Sequence, residues 1–251
     1  MPRALVTPRS SSRPTAQATH AKRPARHGFT VIEMLIVVGI VSILVAFLLP
    51  ALGRARSLAR RVESGSYLKD LAVGITGYTH DNLGEFPSPT QWVNGTWFDP
   101  NAVTSGSVYA YTRTPEVYVS PQAAAVFRQF EPDYEPAYTF TMNAYLGGPW
   151  NGKPGIKRTS GVQEPSTLLL LAEENPYIVP GVTTQSIDNG ALGVGEYAVA
   201  SDLKAGIASY HLATPEAPGS GTGNVAFVDG HVEPRSIEES KELATPKQFR
   251  P

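Results

Sequence analysis

The stretch Arg26-His27-Gly28-Phe29-Thr30-Val31-Ile32-Glu33 opens an apolar run that continues to Leu52 and contains a single charge, Glu33. At 1.5 Å per residue a helix over Phe29–Leu52 is roughly 36 Å long, and a bilayer core is about 30 Å thick, so the run is long enough to span with some tilt. Backbone polar groups in lipid must be satisfied within the segment, which the Val/Ile-rich part achieves only as a helix. Gly39 interrupts it mildly, and Pro50, lacking an amide hydrogen, is expected to kink or loosen its far end. A carboxylate at the mouth of such a span is costly, which makes Glu33 a candidate functional residue.

Two plainer readings compete. A secretory signal could be cut near Ala51-Leu52-Gly53, where small residues flank a cleavage point. Against that, the run is longer than an ordinary signal core, and such a core excludes an acid. A simple signal anchor also leaves Glu33 without a purpose.

The motif Gly28-Phe29-Thr30-Val31-Ile32-Glu33 before an apolar helix closely resembles the processing site of type IV prepilins and type II secretion pseudopilins. The resemblance implies removal of a leader ending at Gly28, methylation of the new N-terminal Phe29 by the same peptidase/methyltransferase, and a role for Glu33 in assembly. It also implies other pilin or pseudopilin subunits and an inner-membrane platform and secretion machinery as partners.

Charge supports that topology. Residues 1–28 hold Arg3, Arg9, Arg13, Lys22, Arg23 and Arg26 and no acid, so the positive-inside tendency keeps the leader cytoplasmic and sends the C-terminal part across the inner membrane. Arg54, Arg56, Arg60 and Arg61 weaken the asymmetry without reversing it. Pro, Ser, Thr and Ala dominate residues 7–25, a composition that favours disorder. Without the leader the chain keeps 15 basic against 22 acidic residues, a net charge of −7. No basic stripe survives beyond residues 54–61, which argues against nucleic-acid binding and leaves lipid headgroups or acidic neighbours for those arginines. There is no cysteine, so stability rests on core burial or a bound ion.

Ala51, Ala55, Leu58, Val62, Leu68, Leu71, Ala72, Ile75 and Tyr78 recur largely at three- and four-residue steps, which extends the helix as an amphipathic one over residues 53–80. His80-Asp81-Asn82-Leu83-Gly84 should end it. Residues 81–237 are rich in Pro, Gly and aromatics. They read as a β-rich head with strands at Val108–Tyr111, Tyr138–Met142, Thr167–Ala172, Tyr197–Ala200, Ile207–Tyr210, Asn224–Val228 and His231–Ile237, and a short helix near Gln122–Gln129. Ser236-Ile237-Glu238-Glu239 has capping-box spacing and could open a brief helix in the C-terminal tail, residues 238–251. The expected fold is α+β: one long N-terminal helix packed on a mainly antiparallel head.

Asn224-Val225-Ala226-Phe227-Val228-Asp229-Gly230-His231-Val232 predicts a hairpin turning on a two-residue Asp-Gly loop. This phrase, with Tyr67-Leu68-Lys69-Asp70-Leu71, Tyr78, Phe86-Pro87, Met142-Asn143-Ala144-Tyr145 and Leu170-Leu171-Ala172-Glu173, resembles the prepilin-type processing-associated domain. In that family a His precedes the Asp-Gly at a shorter spacing than the 18 positions between His211 and Asp229 here. Ser120-Pro121 stands where many relatives carry Cys-Pro.

Few chemical templates fit the head. His211, Asp229 and His231 offer donors suited to Zn²⁺, with the hairpin turn as the simpler account of Asp229. Asp188, Asn189, Glu196 and Asp202 form an oxygen-rich region, and the resemblance to major pseudopilins implies Ca²⁺ as the ion for it. No cofactor is required by either resemblance. Gly219-Ser220-Gly221 is not on a strand-to-helix elbow, and Gly190-Ala191-Leu192-Gly193-Val194-Gly195 lacks both a Walker lysine and dinucleotide spacing. Glu173 and Glu174 are neighbours on a strand end and so point apart. Trp92, Trp97 and Trp150 read as core. A non-enzymatic, filament-forming subunit is the expectation, and the alternative is an anchored periplasmic binding or enzymatic domain that uses pilin-type targeting without polymerising.

Overall fold

The computed structural model describes residues 29–130, 133, 135–149, 152, 154–174, 190–193, 206–212 and 220–249. The chain forms two compact units, one ending at Phe47 and the other beginning at Leu48. Helix α1, Val31–Asp81, runs through Pro50 and stops at the expected place. Its end is made by Leu83 and Gly84, both at positive φ (55° and 79°), and the Gly84 amide caps the Thr79 carbonyl at 2.8 Å. This left-handed exit satisfies a carbonyl the helix would otherwise leave open.

In the first unit the apolar side chains of α1 are exposed: Val31 is 79% exposed and Val45 46%. In the second, Ser64, Leu68, Leu71, Ala72 and Ile75 are buried, the stripe the three- and four-residue spacing predicts. Leu68, Leu71 and Ile75 join a core with Trp92, Tyr118, Phe127, Tyr138, Phe140, Met142 and Leu171. Trp92 stacks on Tyr118 with ring centres 5.7 Å apart, and its indole N–H donates to the Gly190 carbonyl at 2.8 Å. Both Trp92 and Trp97 are core residues; Trp150 lies outside the described residues.

Among the described residues five strands follow: β1 Phe140–Asn143, β2 Leu169–Glu173, β3 Ala191–Leu192, β4 Gly223–Phe227 and β5 Val232–Arg235, in the order β3-β1-β2-β4-β5. All neighbours pair antiparallel except β1 and β3, which are parallel. Phe140, Met142, Leu171 and Ala226 share the core with α1, while Ala172, Val225 and Phe227 pack on a second cluster with Leu192, Ile207 and Ala244. With both faces covered, β1, β2 and β4 are buried at every position, including the polar Thr141, Asn143, Glu173 and Asn224.

Three expectations are corrected. Val108–Tyr111 is not a strand: a one-turn helix α2, Tyr109–Thr112, lies there against α1. Gly74 and Gly77 admit it, since a Cβ on Gly74 would sit 2.7 Å from Thr112 Cγ2 and one on Gly77 2.9 Å from Tyr111 Cδ1. Ile207–Tyr210 contributes only isolated bridges, Ile207 to Glu174 and, just beyond, His211 to Thr222. The Asp229-Gly230 hairpin has a three-residue loop, because Ala226 faces Val232 and Phe227 N–H donates to the His231 carbonyl at 2.9 Å. Gly230 alone takes positive φ, 85°, and its amide closes the turn on Phe227 at 2.8 Å. This is the turn-plus-bulge form of hairpin, where only the last loop residue is left-handed.

The expected short helix is present as α3, Pro121–Phe130. The residues expected as a tail are folded as far as Phe249: Ser236 and Glu239 form the predicted capping box before a 3-10 turn, and α4, Ser240–Ala244, packs on the sheet. Asn143 Nδ2 donates to the Ala244 carbonyl at 2.9 Å, and Ile207 N–H donates to Ser240 Oγ at 2.9 Å. The strand expected at Tyr197–Ala200 lies outside the described residues.

Candidate functional site

At the start of α1, Thr30 and Glu33 close on each other. The Thr30 amide and hydroxyl both donate to Glu33 Oε2 at 2.8 Å, and the Glu33 amide donates to Thr30 Oγ1 at 3.3 Å. This is a reciprocal capping box: a Thr-x-x-Glu spacing that satisfies donors a helix start leaves open. The spacing is as plain in the sequence as the Ser236–Glu239 box, and it gives Glu33 a local task that a simple anchor would also use.

A buried polar cluster forms where α1 crosses β2 and β4. Glu173 ends β2 with no exposed surface and gathers three donors. His211 Nε2 lies 2.7 Å from Oε2, the Asn224 amide donates to the same oxygen at 2.6 Å, and the Ser64 hydroxyl of α1 donates to Oε1. Asn224 also ties the helix directly, its Nδ2 donating to the Arg61 carbonyl at 2.9 Å. Burial pushes the Glu173 carboxyl up, but His211, the Asn224 amide and Ser64 more than offset it and hold it below the usual carboxylate value. Tyr210 lies beside this cluster, and burial, reinforced by the Glu173 charge, pushes its phenol well above the ordinary value. The serine bonds to the acid rather than to the imidazole, and the imidazole and carboxylate are fully buried, so the arrangement lacks the nucleophile–base contact of acyl-transfer sites.

The sequence-predicted metal residues do not converge. His211 is taken by Glu173, and Asp229 by His231, whose Nδ1 is 2.5 Å from Asp229 Oδ1 and whose ring stacks on Phe227 at 4.2 Å. Burial pushes Asp229 up, while the His231 amide and ring and Lys69 bring it below its ordinary value, as a turn residue held by local donors. Among the described residues no group of three His, Cys, Asp or Glu side chains could hold a metal ion. Asp188, Asn189, Glu196 and Asp202 lie outside the described residues, as does Gly28. The missed residues are Glu173 and Ser64, distant in sequence and joined only by folding.

Residues 23–49 match the model of the prokaryotic N-terminal methylation motif. The N-terminus is of the prepilin type. That supports a type IV pilin-like protein, and the motif implies processing by a prepilin peptidase and assembly with other pilins. The apolar part of α1 is the one described helix long and apolar enough to cross a membrane, which is consistent with anchoring. No curated protein and no solved structure matches the chain.

Proposed function

We propose that the chain is a structural subunit of a type II secretion pseudopilus or a related type IV filament. In this reading a prepilin peptidase cuts between Gly28 and Phe29 at the cytoplasmic face of the inner membrane and methylates Phe29. The apolar half of α1 holds the subunit in the membrane with its head in the periplasm until neighbouring helices replace lipid. The single observation that carries this is the motif match over residues 23–49, with Glu33 as the lone charge of an uncovered apolar helix. Burial of Glu173 and His211 away from solvent supports a structural rather than a catalytic head.

Glu33 is proposed to pair with the amino group of Phe29 on an adjacent subunit once lipid and water are excluded. Removing one partner of a buried pair costs about 3–5 kcal/mol, whereas losing a helix cap costs about 1 kcal/mol. Glu33→Val removes charge and cap; Glu33→Gln removes the charge and keeps a capping side chain. Both should insert and be cleaved, and both should fail to yield sheared filaments. Filaments from Glu33→Gln at the wild-type level would refute the pairing and leave Glu33 as a helix cap on a non-polymerising anchor.

A further inference from the structure

Between Glu33 and Glu63 the chain has no acid, and the four arginines of that interval, Arg54, Arg56, Arg60 and Arg61, follow directly on the apolar run that ends at Leu52. Eighteen residues make five full helical turns, so the residue eighteen places on shows what covers the same side of α1 higher up. Arg54, Arg56 and Arg61 stand below Ala72, Gly74 and Thr79, all buried under the head. Arg60 stands below half-buried Tyr78, whose ring meets Tyr111 edge-on at 5.9 Å. Ala55, Leu58 and Val62 stand below Val73, Thr76 and His80, all exposed. The segment is therefore divided lengthwise, with arginines on the side the head overhangs and small or apolar side chains on the side it leaves open.

Arg54, Arg56 and Arg60 are exposed and Arg61 is half-buried. Among the described residues none of the four makes an ion pair. Arg60 donates to Gln122 Oε1 at 3.3 Å, which leaves most of its N–H groups for another acceptor. Glu63, the nearest acid along the chain, accepts the Tyr67 hydroxyl at 3.0 Å. Along the axis the arginines begin about 3 Å past Leu52 and end about 14 Å past it. The headgroup layer outside the hydrocarbon core is about 5–8 Å deep, so Arg54 and Arg56 lie within it. Helical side chains lean toward the N-terminal end, which here is the membrane end, so Arg60 and Arg61 lean down toward the same layer.

We propose that the four arginines form a binding site for anionic lipid headgroups in the membrane leaflet nearer the head. Guanidinium groups take phosphate bidentately, and each cation near an anionic surface strengthens attachment about fivefold. A neighbouring copy's acids are the competing source of negative charge. The chain's own head, covering that side higher up, denies a parallel neighbouring helix access, whereas lipid approaches from below. With its charges on one side, the site fixes rotation as well as depth: the head stands over anionic lipid, and Ala55, Leu58 and Val62 face away from it, open to other helices. This inference rests on the membrane-anchored part of the proposed function and not on polymerisation.

The chain has no cysteine, so Ala59→Cys, exposed on the uncharged side, places a single fluorescent donor at the level of the arginines. The full chain is reconstituted in vesicles of phosphatidylcholine with a minor share of phosphatidylglycerol, and energy transfer is read to a trace of either lipid labelled in its tail. A donor whose range is shorter than the bilayer is thick does not report lipid held by the basic leader on the far face. Transfer to phosphatidylglycerol should exceed transfer to phosphatidylcholine severalfold. Arg54→Gln with Arg56→Gln, residues without a hydrogen bond or ion pair among the described residues, should remove more than half of the excess. Glutamine at all four positions should abolish it, with near-ultraviolet circular dichroism unchanged. Equal transfer to the two lipids with the arginines in place, or an excess undiminished in the Arg54→Gln, Arg56→Gln chain, would overturn the site. Loss of self-association in the four-glutamine chain at unchanged lipid preference would give the arginines to a neighbour's acids and overturn it too. Sheared wild-type filaments alongside equal transfer would overturn the lipid site alone, whereas a chain stripped from vesicles by alkaline carbonate would overturn it together with the membrane-anchored reading.

Discussion

Replacing Glu173 by glutamine keeps the side chain's volume and removes its charge from a site designed around three donors. The Asn224 amide at 2.6 Å, His211 Nε2 at 2.7 Å and the Ser64 hydroxyl all point at carboxylate oxygens. A glutamine offers one acceptor oxygen, and its NH₂ must face a donor. Each stranded buried donor costs about 1–3 kcal/mol, and breaking a buried charged pair about 3–5 kcal/mol in all. For a domain of this size each kcal/mol moves the midpoint by about 2–4 °C, so Glu173→Gln should lower Tm by roughly 6–20 °C. Ser64→Ala should cost nearer 1 kcal/mol. Near-ultraviolet circular dichroism of the detergent-solubilised full chain, which reads the packed tryptophans, is a suitable assay. The carboxyl is held below its ordinary value in the folded state, so its contribution is fully present above about pH 4.5 and is lost as pH falls through the folded value. Glu173→Gln should therefore flatten part of the acid limb of stability, leaving the part due to Asp229 and Glu239, also held low. A glutamine variant melting within about 2 °C of wild type, with an unchanged acid limb, would show that the cluster holds nothing together.

Gly28→Leu should block maturation, leaving the leader attached by mass spectrometry, whereas a mature N-terminus near Arg54 would mean ordinary signal cleavage. Gly230→Val should cost about 1–3 kcal/mol of head stability through its φ of 85°, because a Cβ there meets nothing nearer than Lys69 Nζ at 3.5 Å and the strain is purely backbone. Gly230→Asn should recover much of that loss, asparagine tolerating the left-handed region, and equal melting of both variants would contradict the turn.

What a single sequence conveys here follows the range of the interactions involved. α1 was legible because its signals are local: an apolar run with a single charge, then Leu68, Leu71 and Ile75 at helical steps, then a left-handed stop at Leu83-Gly84. β1, β2 and β4 were legible as short β-favouring runs between turns, within a residue or two of their ends. Val108–Tyr111 misled because aromatic and β-branched residues fit any half-buried surface, and Gly74 and Gly77 offered one to a helical turn instead. β3 has two residues, and its definition comes from Met142 and Asn143 far away in sequence. Glu173, His211 and Ser64 carry no spacing that could announce them. The Thr30–Glu33 box was different: its spacing was readable, and it was obscured because an assembly role already accounted for the acid.

The bonds from Ser64 to Glu173 and from Asn224 to Arg61 bear on mechanics. β2 is the middle strand of the sheet and β4 its neighbour, so both bonds lead from the helix to the interior of the head rather than to a surface loop. A pull along α1 is delivered through short polar struts to the least yielding part of the domain, with Leu68, Leu71 and Ile75 sharing the load by packing. Such a subunit resists being peeled off its own stem, and in the proposed filament the weak point under tension would lie between copies rather than within one.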